Sequence, residues 1–370
     1  MIPLHDFARQ WEDTREDALA AFAAVGASGW YILGREVREF EEALAHYWGI
    51  GHAVGVASGL DALEISLKAL GCRSGDRVLT SPLSAFPTTL AILKLGAVPV
   101  FVDTGECGLI DLDACRAALA SRPDIRFLLP VHLYGLPLDV RRLAELRDDF
   151  GCRIVEDCAQ SIGACHAGKA AGTAGDMAAV SFYPTKNLAA LGDGGAILTN
   201  DPALAQMARR LRDYGQSSKY VHDVAGYNSR LDELHAAYLR RVGLKRLPMW
   251  TEARRRVAAA YLAGIRNPAI RLTPVPAEAA PVWHLFPVLV DAERKADFMA
   301  WLGSHGVMCG EHYPAPIPGQ RALHDVPFEV IGGLERARRI CRSEVSLPIH
   351  PYLAEDETER VIAACNAWQG

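Results

Sequence analysis

Short apolar runs alternate with amphipathic stretches from about residue 50 to residue 200, and that alternation predicts an α/β protein. The runs are near-continuously apolar and rich in β-branched residues, as strands buried on both faces are. The expected architecture is a mostly parallel central sheet covered by helices on both faces. Beyond residue 200 the pattern changes, first to long helical segments and then to a smaller α+β region. Residues 1–250, with an N-terminal helical segment, are expected to form a large domain, and residues 251–370 a small C-terminal one.

In chain order, HAVGVAS (52–58) reads as the first strand. It is followed by GLDALEISLKALG, where Leu60, Leu63, Ile65, Leu67 and Leu70 suit a helix buried on one side. DRVLTS, VPVFVD, RFLLPVHLYG and RIVED read as further strands, with SAFPTTLAILKLG, DLDACRAALA and VRRLAELRDDFG as the helices between them. MAAVSFY and GAILTN add two strands, a hairpin-like excursion around Lys186. Residues 202–214 and 231–262 read as helices. A proline-rich connector, RLTPVPAEAAP (271–281), leads to a strand in HLFPVLVD, a helix in DFMAWLGSHG, the extended EVSLPIHP and a terminal helix.

Composition removes several function classes. The chain has 370 residues, 50% of them hydrophobic and 22% charged, with a formal net charge of −5. That balance gives no electrostatic reason to expect nucleic acid or an anionic membrane as partner. The basic triplet Arg254, Arg255 and Arg256 reads as the solvated face of a helix. No apolar run reaches transmembrane length, and the start MIPLHDFARQWED lacks a signal-peptide layout, so a cytoplasmic location is expected. Nine scattered cysteines with no C-x-x-C pair predict reduced thiols rather than a disulfide frame. Cys152, Asp157, Cys158, Cys165 and His166 match no common metal-ligand spacing, so no metal is expected.

Lys186 is the residue that asks for an explanation. It follows an apolar run and precedes Gly192-Asp193-Gly194-Gly195, a setting a solvated lysine does not need. A buried lysine must be paired, neutralised or used covalently. RIVED ends in Asp157, at the carboxyl end of a parallel strand, where sheets of this kind bind ligands. A lysine and an aspartate on neighbouring strand ends suit pyridoxal phosphate: the lysine forms a Schiff base and the aspartate keeps the pyridine nitrogen protonated. On spacing alone a buried salt bridge remains open. Ser58-Gly59, at a strand-to-helix junction, adds a place where backbone N–H groups can hold a phosphate.

The segments VASGLDAL, VEDCAQSIGA, SFYPTKNLAALGDGGAILTN, GYNSRLDELHAAYL and GEHYPAPIP, in this order, resemble the DegT/DnrJ/EryC1/StrS family over about residues 30–355. These are fold-type-I, pyridoxal-phosphate-dependent aminotransferases of nucleotide-linked keto sugars. The resemblance implies that Lys186 carries the Schiff base and that Asp157 partners the pyridine nitrogen. Gln160 falls at the residue that bonds the cofactor's phenolic oxygen, and Ser181 at a phosphate-binding hydroxyl. Gly59 and Leu60 fall where backbone amides approach the phosphate. Asn228 matches an asparagine given across the dimer interface to the neighbouring subunit's phosphate, which implies a homodimer with shared active sites. Tyr183, His312 and Tyr313 fall near the substrate sugar.

Two positions depart from the family pattern. Leu60 stands where many members have Thr, so one hydroxyl toward the phosphate is lost. The aromatic that stacks on the ring falls at Ala85, and Phe86, one position later, is expected to take that role. The implied reaction alternates pyridoxal phosphate with pyridoxamine phosphate, with L-glutamate as donor and a 3-keto sugar favoured as acceptor. A 4-keto sugar, a cyclitol ketone and a non-catalytic regulatory role are the alternatives. The related sugar dehydratases carry histidine in place of the lysine, which Lys186 excludes. Cys309 has no pattern around it beyond packing.

Overall fold

The computed structural model describes all 370 residues. Seven strands form most of the large sheet: β1 His52–Val56, β2 Arg77–Thr80, β3 Val98–Phe101, β4 Ile125–Leu129, β5 Arg153–Asp157, β6 Met177–Ser181 and β7 Gly195–Thr199. Their order is β1-β7-β6-β5-β4-β2-β3, with Glu329–Val330 at the far edge as the eighth strand. From β6 across to Glu329–Val330 all neighbours run parallel. The exception is β7, antiparallel to both β1 and β6, with Ala178 opposite Leu198 and Val54 opposite Ile197. The excursion around Lys186 is therefore the hairpin the sequence predicts.

The helices are α1 Phe7–Ser28, α2 Arg35–Trp48, α3 Gly59–Ala69, α4 Phe86–Lys94, α5 Leu112–Ser121, α6 Val140–Phe150, α7 Pro202–Arg212, α8 Glu233–Tyr238, α9 Leu244–Gly264, α10 Lys295–Ser304, α11 Glu335–Ser343 and α12 Glu355–Ala367. Short polar side chains start four of those that follow strands. Ser58 caps α3 through Asp61 N–H at 3.0 Å, and Asp111, Asp139 and Asp201 do the same for α5, α6 and α7. The Glu233 carboxylate accepts from the backbone N–H groups of Gly34, Glu36 and Val37 at 2.8–2.9 Å, so α8 supplies the cap of α2. No helix is long and apolar enough to cross a membrane.

The expected 231–262 helix is interrupted. A π-turn, Leu239–Gly243, separates α8 from α9 where the chain passes Leu188. A Cβ on Gly243 would lie 2.7 Å from Leu188 Cδ1. The boundary expected near residue 250 falls inside α9. A second sheet, Arg271–Leu272, Phe286–Leu289 and Glu344–Leu347, is antiparallel and belongs to the C-terminal part. The two parts interlock: Glu329–Val330 joins the large sheet, while Ile2 pairs with Val307. One apolar core of 69 buried residues runs through both.

Candidate active site

Asp157 is the last residue of β5, and its backbone is tied to the neighbouring β4 end. Its N–H donates to Pro130 at 2.8 Å and its carbonyl accepts from His132 N–H at 3.1 Å. Thr88 of α4 donates its hydroxyl to Asp157 Oδ2 at 2.8 Å, and Ala159 N–H donates to Oδ1 at 3.1 Å. Burial pushes the Asp157 carboxyl above its ordinary range, against these two donors and the positive charge of Lys186. The preceding residue, Glu156, turns to the other face of the sheet, as strand alternation requires. It accepts from His132 Nε2 at 2.9 Å and from the backbone of Gly172, Ala174 and Gly175. Since His132 Nδ1 accepts from Leu138 N–H, the Nε2 proton is the one donated to Glu156. The strand end that presents Asp157 is thereby fixed from behind.

Lys186 sits in the loop from β6 to β7, in a turn where its N–H donates to Tyr183 O at 2.8 Å. Burial lowers its ammonium to about 8, with Asp157 the opposing charge. A lysine brought down to that range has a substantial neutral fraction near neutral pH and can act as a nucleophile and a base.

The start of α3 packs directly on the ends of β6 and β7. A Cβ on Gly59 would lie 2.6 Å from Ser181 Cβ, and one on Gly195 would lie 2.4 Å from Ser58 O. Both positions need glycine because of this approach. The N–H groups of Gly59 and Leu60, at the first helical positions, have no intrahelical carbonyl, and the helix dipole favours an anion there. Ser181 Oγ lies at the same point and accepts from Tyr183 N–H at 3.3 Å. Gln160 is held by Tyr134 N–H on its Oε1 at 2.7 Å and donates from Nε2 to Tyr313 OH at 3.3 Å. A buried carboxylate, a neutralisable amine, a phosphate cradle and an oriented amide are the donor set pyridoxal phosphate requires, and these residues fit it.

His312 and Tyr313 reach this site from the C-terminal part. His312 N–H donates to Glu344 Oε2 at 2.6 Å, its Nδ1 lies 2.9 Å from Ser346 Oγ, and its carbonyl accepts from Tyr134 OH at 2.5 Å. Burial lowers His312 to about 4, with the Lys186 charge adding to the effect, so its ring is neutral at pH 7. Tyr183 is 51% exposed. Asn228 is exposed, and its side chain bonds nothing in its own chain.

Phe86, expected to stack on the cofactor ring, stands partly buried at the start of α4. It packs against Phe101, Ile317, Leu323 and Leu334. The basic triplet needs correction: Arg254 is 4% exposed, and only its neighbours lie toward solvent. Sequence reasoning missed Thr88, Tyr134 and Glu344, and also Asn187 and His284, which pair at 3.3 Å beside the lysine. Thr88, Tyr134, Glu344 and His284 act across a distance in sequence, whereas Asn187 directly follows the lysine in the SFYPTKN segment.

Fold and site together define a transaminase built on the fold-type-I plan. The chain belongs to the DegT/DnrJ/EryC1/StrS aminotransferase family, whose profile matches residues 12–366. A dTDP-3-amino-3,4,6-trideoxy-alpha-D-glucose transaminase from Streptomyces venezuelae is 42% identical over 369 residues, covering 99% of this chain and 96% of that protein. An erythromycin-biosynthesis sensory transduction protein, EryC1, from Saccharopolyspora erythraea is 41% identical and is matched over 99% of both chains. The crystal structure of S. venezuelae DesV in complex with a ketimine intermediate superposes with a TM-score of 0.94 at 42% identity, over 99% of this chain and 98% of that one.

Proposed function

We propose that the protein transfers an amino group from L-glutamate to the 3-keto group of a nucleotide-linked deoxysugar, with Lys186 as the covalent anchor of pyridoxal phosphate. The observation that carries this reading is partly buried Lys186, in the loop after β6, facing buried Asp157 at the end of β5, each sensing the other's charge. The S. venezuelae relative, a 3-amino-sugar transaminase, supports the choice of C-3.

When bound, pyridoxal phosphate supplies an electron sink that makes the hydrogen beside the donor nitrogen acidic. The chain's residues do the rest. Lys186 Nζ takes the proton from the donor α-carbon and, in the second half-reaction, delivers one to the former keto carbon of the sugar. The Asp157 carboxylate would keep the pyridine nitrogen protonated, with Thr88 holding the carboxylate in place. The N–H groups of Gly59 and Leu60 and the Ser181 hydroxyl grip the phosphate, which fixes the orientation of the reacting bonds. Gln160 Nε2 bonds the phenolic oxygen. His312 and Tyr313 cover the site from the C-terminal part, and Tyr183 lies at its mouth toward the sugar.

The active unit in this reading is a homodimer. Asn228 is solvent-facing and free, and near it stand exposed apolar side chains that an isolated chain would bury: Tyr214, Tyr220 and Val221 in the 214–222 segment. The Asn228 amide would then serve the partner's phosphate. The name of the S. erythraea relative favours a regulatory role as the second reading. A purely regulatory protein has no use for a lysine ammonium lowered to about 8 beside a buried carboxylate.

The acceptor is tested by adding keto sugars to the protein in its pyridoxamine-phosphate state. A 3-keto nucleotide sugar should restore the visible cofactor band and its 4-keto isomer should not; the reverse pattern would refute the C-3 assignment.

A further inference from the structure

Lys186 lines a small pocket that it shares with His5, Asn187, Trp250, Arg254 and His350. We propose that this pocket is the carboxylate-binding subsite for the amino donor, with Arg254 and His350 as its anion-binding residues and His5 closing it from the N-terminal segment. The proposal rests on the transaminase reading above and adds to it the groups that select the donor.

Arg254 is the first reason. It projects from α9 into the interior, 4% exposed, and no carboxylate pairs with it. Its Nη1 serves three carbonyls, those of Ile349 at 2.6 Å, Trp283 at 3.3 Å and His284 at 3.5 Å. Its Nε is buried with no partner at all. Burial lowers this guanidinium to about 10, as expected of a charge with nothing to balance it.

His350 is the second. It is 2% exposed, and both ring nitrogens are buried without a hydrogen-bond partner. Native proteins rarely leave a buried polar side chain wholly unsatisfied, so such a group asks for a ligand. The histidines here do not form a metal centre, since no three His, Cys, Asp or Glu side chains converge as ligands would. At neutral pH the ring is uncharged, lowered to about 4 by burial and by Arg254, so it offers one N–H and one lone pair.

The charge balance of the pocket points to an anion. Lys186 and Arg254 contribute positive charge. The one carboxylate in the lining, Asp6, is already engaged: it caps Arg9 N–H at 3.0 Å and pairs with the Arg9 guanidinium at 3.3 Å. A carboxylate entering the pocket would accept from Arg254 Nε and from the His350 N–H, and would satisfy both. Lys186, Arg254 and His350 line this one pocket, so a donor held at Lys186 would turn its carboxylate toward the two anion-binding groups. The N-terminal segment is pinned over the pocket at both ends. Ile2, 1% exposed, bonds Gly306 and Met308 at 2.7 and 2.9 Å, and Asp6 begins α1, which leaves His5 stretched between the two anchors.

Calorimetric titration of the cofactor-loaded protein with glutarate, a dicarboxylate with no amine to react, tests the subsite. Wild-type protein should bind it, and His350→Gln and Arg254→Gln should each weaken binding about tenfold or more. His350→Gln is the cleaner variant because neither ring nitrogen bonds the protein; Arg254→Gln is read alongside its melting temperature. The L-glutamate concentration that half-bleaches the visible cofactor band should rise in parallel. Wild-type protein that does not bind glutarate, or unchanged binding in His350→Gln, would overturn the proposal. If L-glutamate bleaches all three proteins at the same concentration, the subsite is wrong and the donor stands. If glutarate binds through His350 and L-glutamate bleaches nothing, the subsite stands and the donor is wrong.

Discussion

A buried amine opposed by one carboxylate is costly to protonate, and at the scale of the single residue that cost has a definite pH dependence. Lys186 titrates at about 8 in the folded chain against an ordinary 10.5. A folded value below the unfolded one means stability is highest above about 10.5, where the amine is neutral in both states. That stability is lost as pH falls through about 8. In cofactor-free protein, Lys186→Met should therefore melt higher than wild type at pH 7, by a margin worth at most about 3 kcal/mol. The gap should close as pH rises to about 10.5. A melting difference with no pH dependence, or a lower melting point at pH 7, would refute it. Asp157→Asn tests the other member of the pair: it keeps an acceptor for Thr88 but removes the charge. Turnover should fall by about 10²-fold or more while the cofactor-free protein melts no lower at pH 7. Unchanged turnover would remove Asp157 from the site.

Among the elements, the tightest constraint is the meeting of α3 with the ends of β6 and β7. Gly195→Ala puts a Cβ 2.4 Å from a backbone oxygen, and Gly59→Ala puts one 2.6 Å from Ser181 Cβ. Each should destabilise the protein by about 1–3 kcal/mol, and Gly59→Ala should also raise the dissociation constant for pyridoxal phosphate in a fluorescence titration. Tight cofactor binding by Gly59→Ala would argue against the phosphate lying there. These contacts were legible in the sequence because strand, glycine and helix follow one another locally. Contacts made by an isolated residue on a helix were not. Arg254, Arg255 and Arg256 lie about 100° apart around α9, so three consecutive arginines cannot all face water on a helix packed on one side. Nothing local says which one turns inward. Thr88 poses the same problem on α4, where only tertiary packing brings its hydroxyl to Asp157. Glu329–Val330, two residues long, carries too little periodicity to be read at all, whereas α11, with Ala337, Ile340 and Cys341 at helical spacing in an otherwise polar stretch, was legible and was missed.

For the molecule as a whole, the account requires two chains. Lys186→Ala and Asn228→Ala subunits, each impaired alone, should regain part of the activity when mixed, because a hybrid dimer holds one site with both residues intact. No recovery in verified heterodimers would place Asn228 outside the site. The large sheet and its helices were legible because their periodicity is strong and repeated. The interlocking of the two parts through Ile2 and Glu329–Val330 was not, because single bridges leave no sequence pattern. The central claim, that Lys186 anchors the cofactor and moves the amino group, is tested most directly by one spectrum. Cofactor-reconstituted wild-type protein and Lys186→Ala are compared by visible absorbance before and after L-glutamate. The account predicts a visible band in wild type that L-glutamate bleaches, and in Lys186→Ala no such covalent band and no transamination. A Lys186→Ala protein that transaminates at the wild-type rate would contradict it.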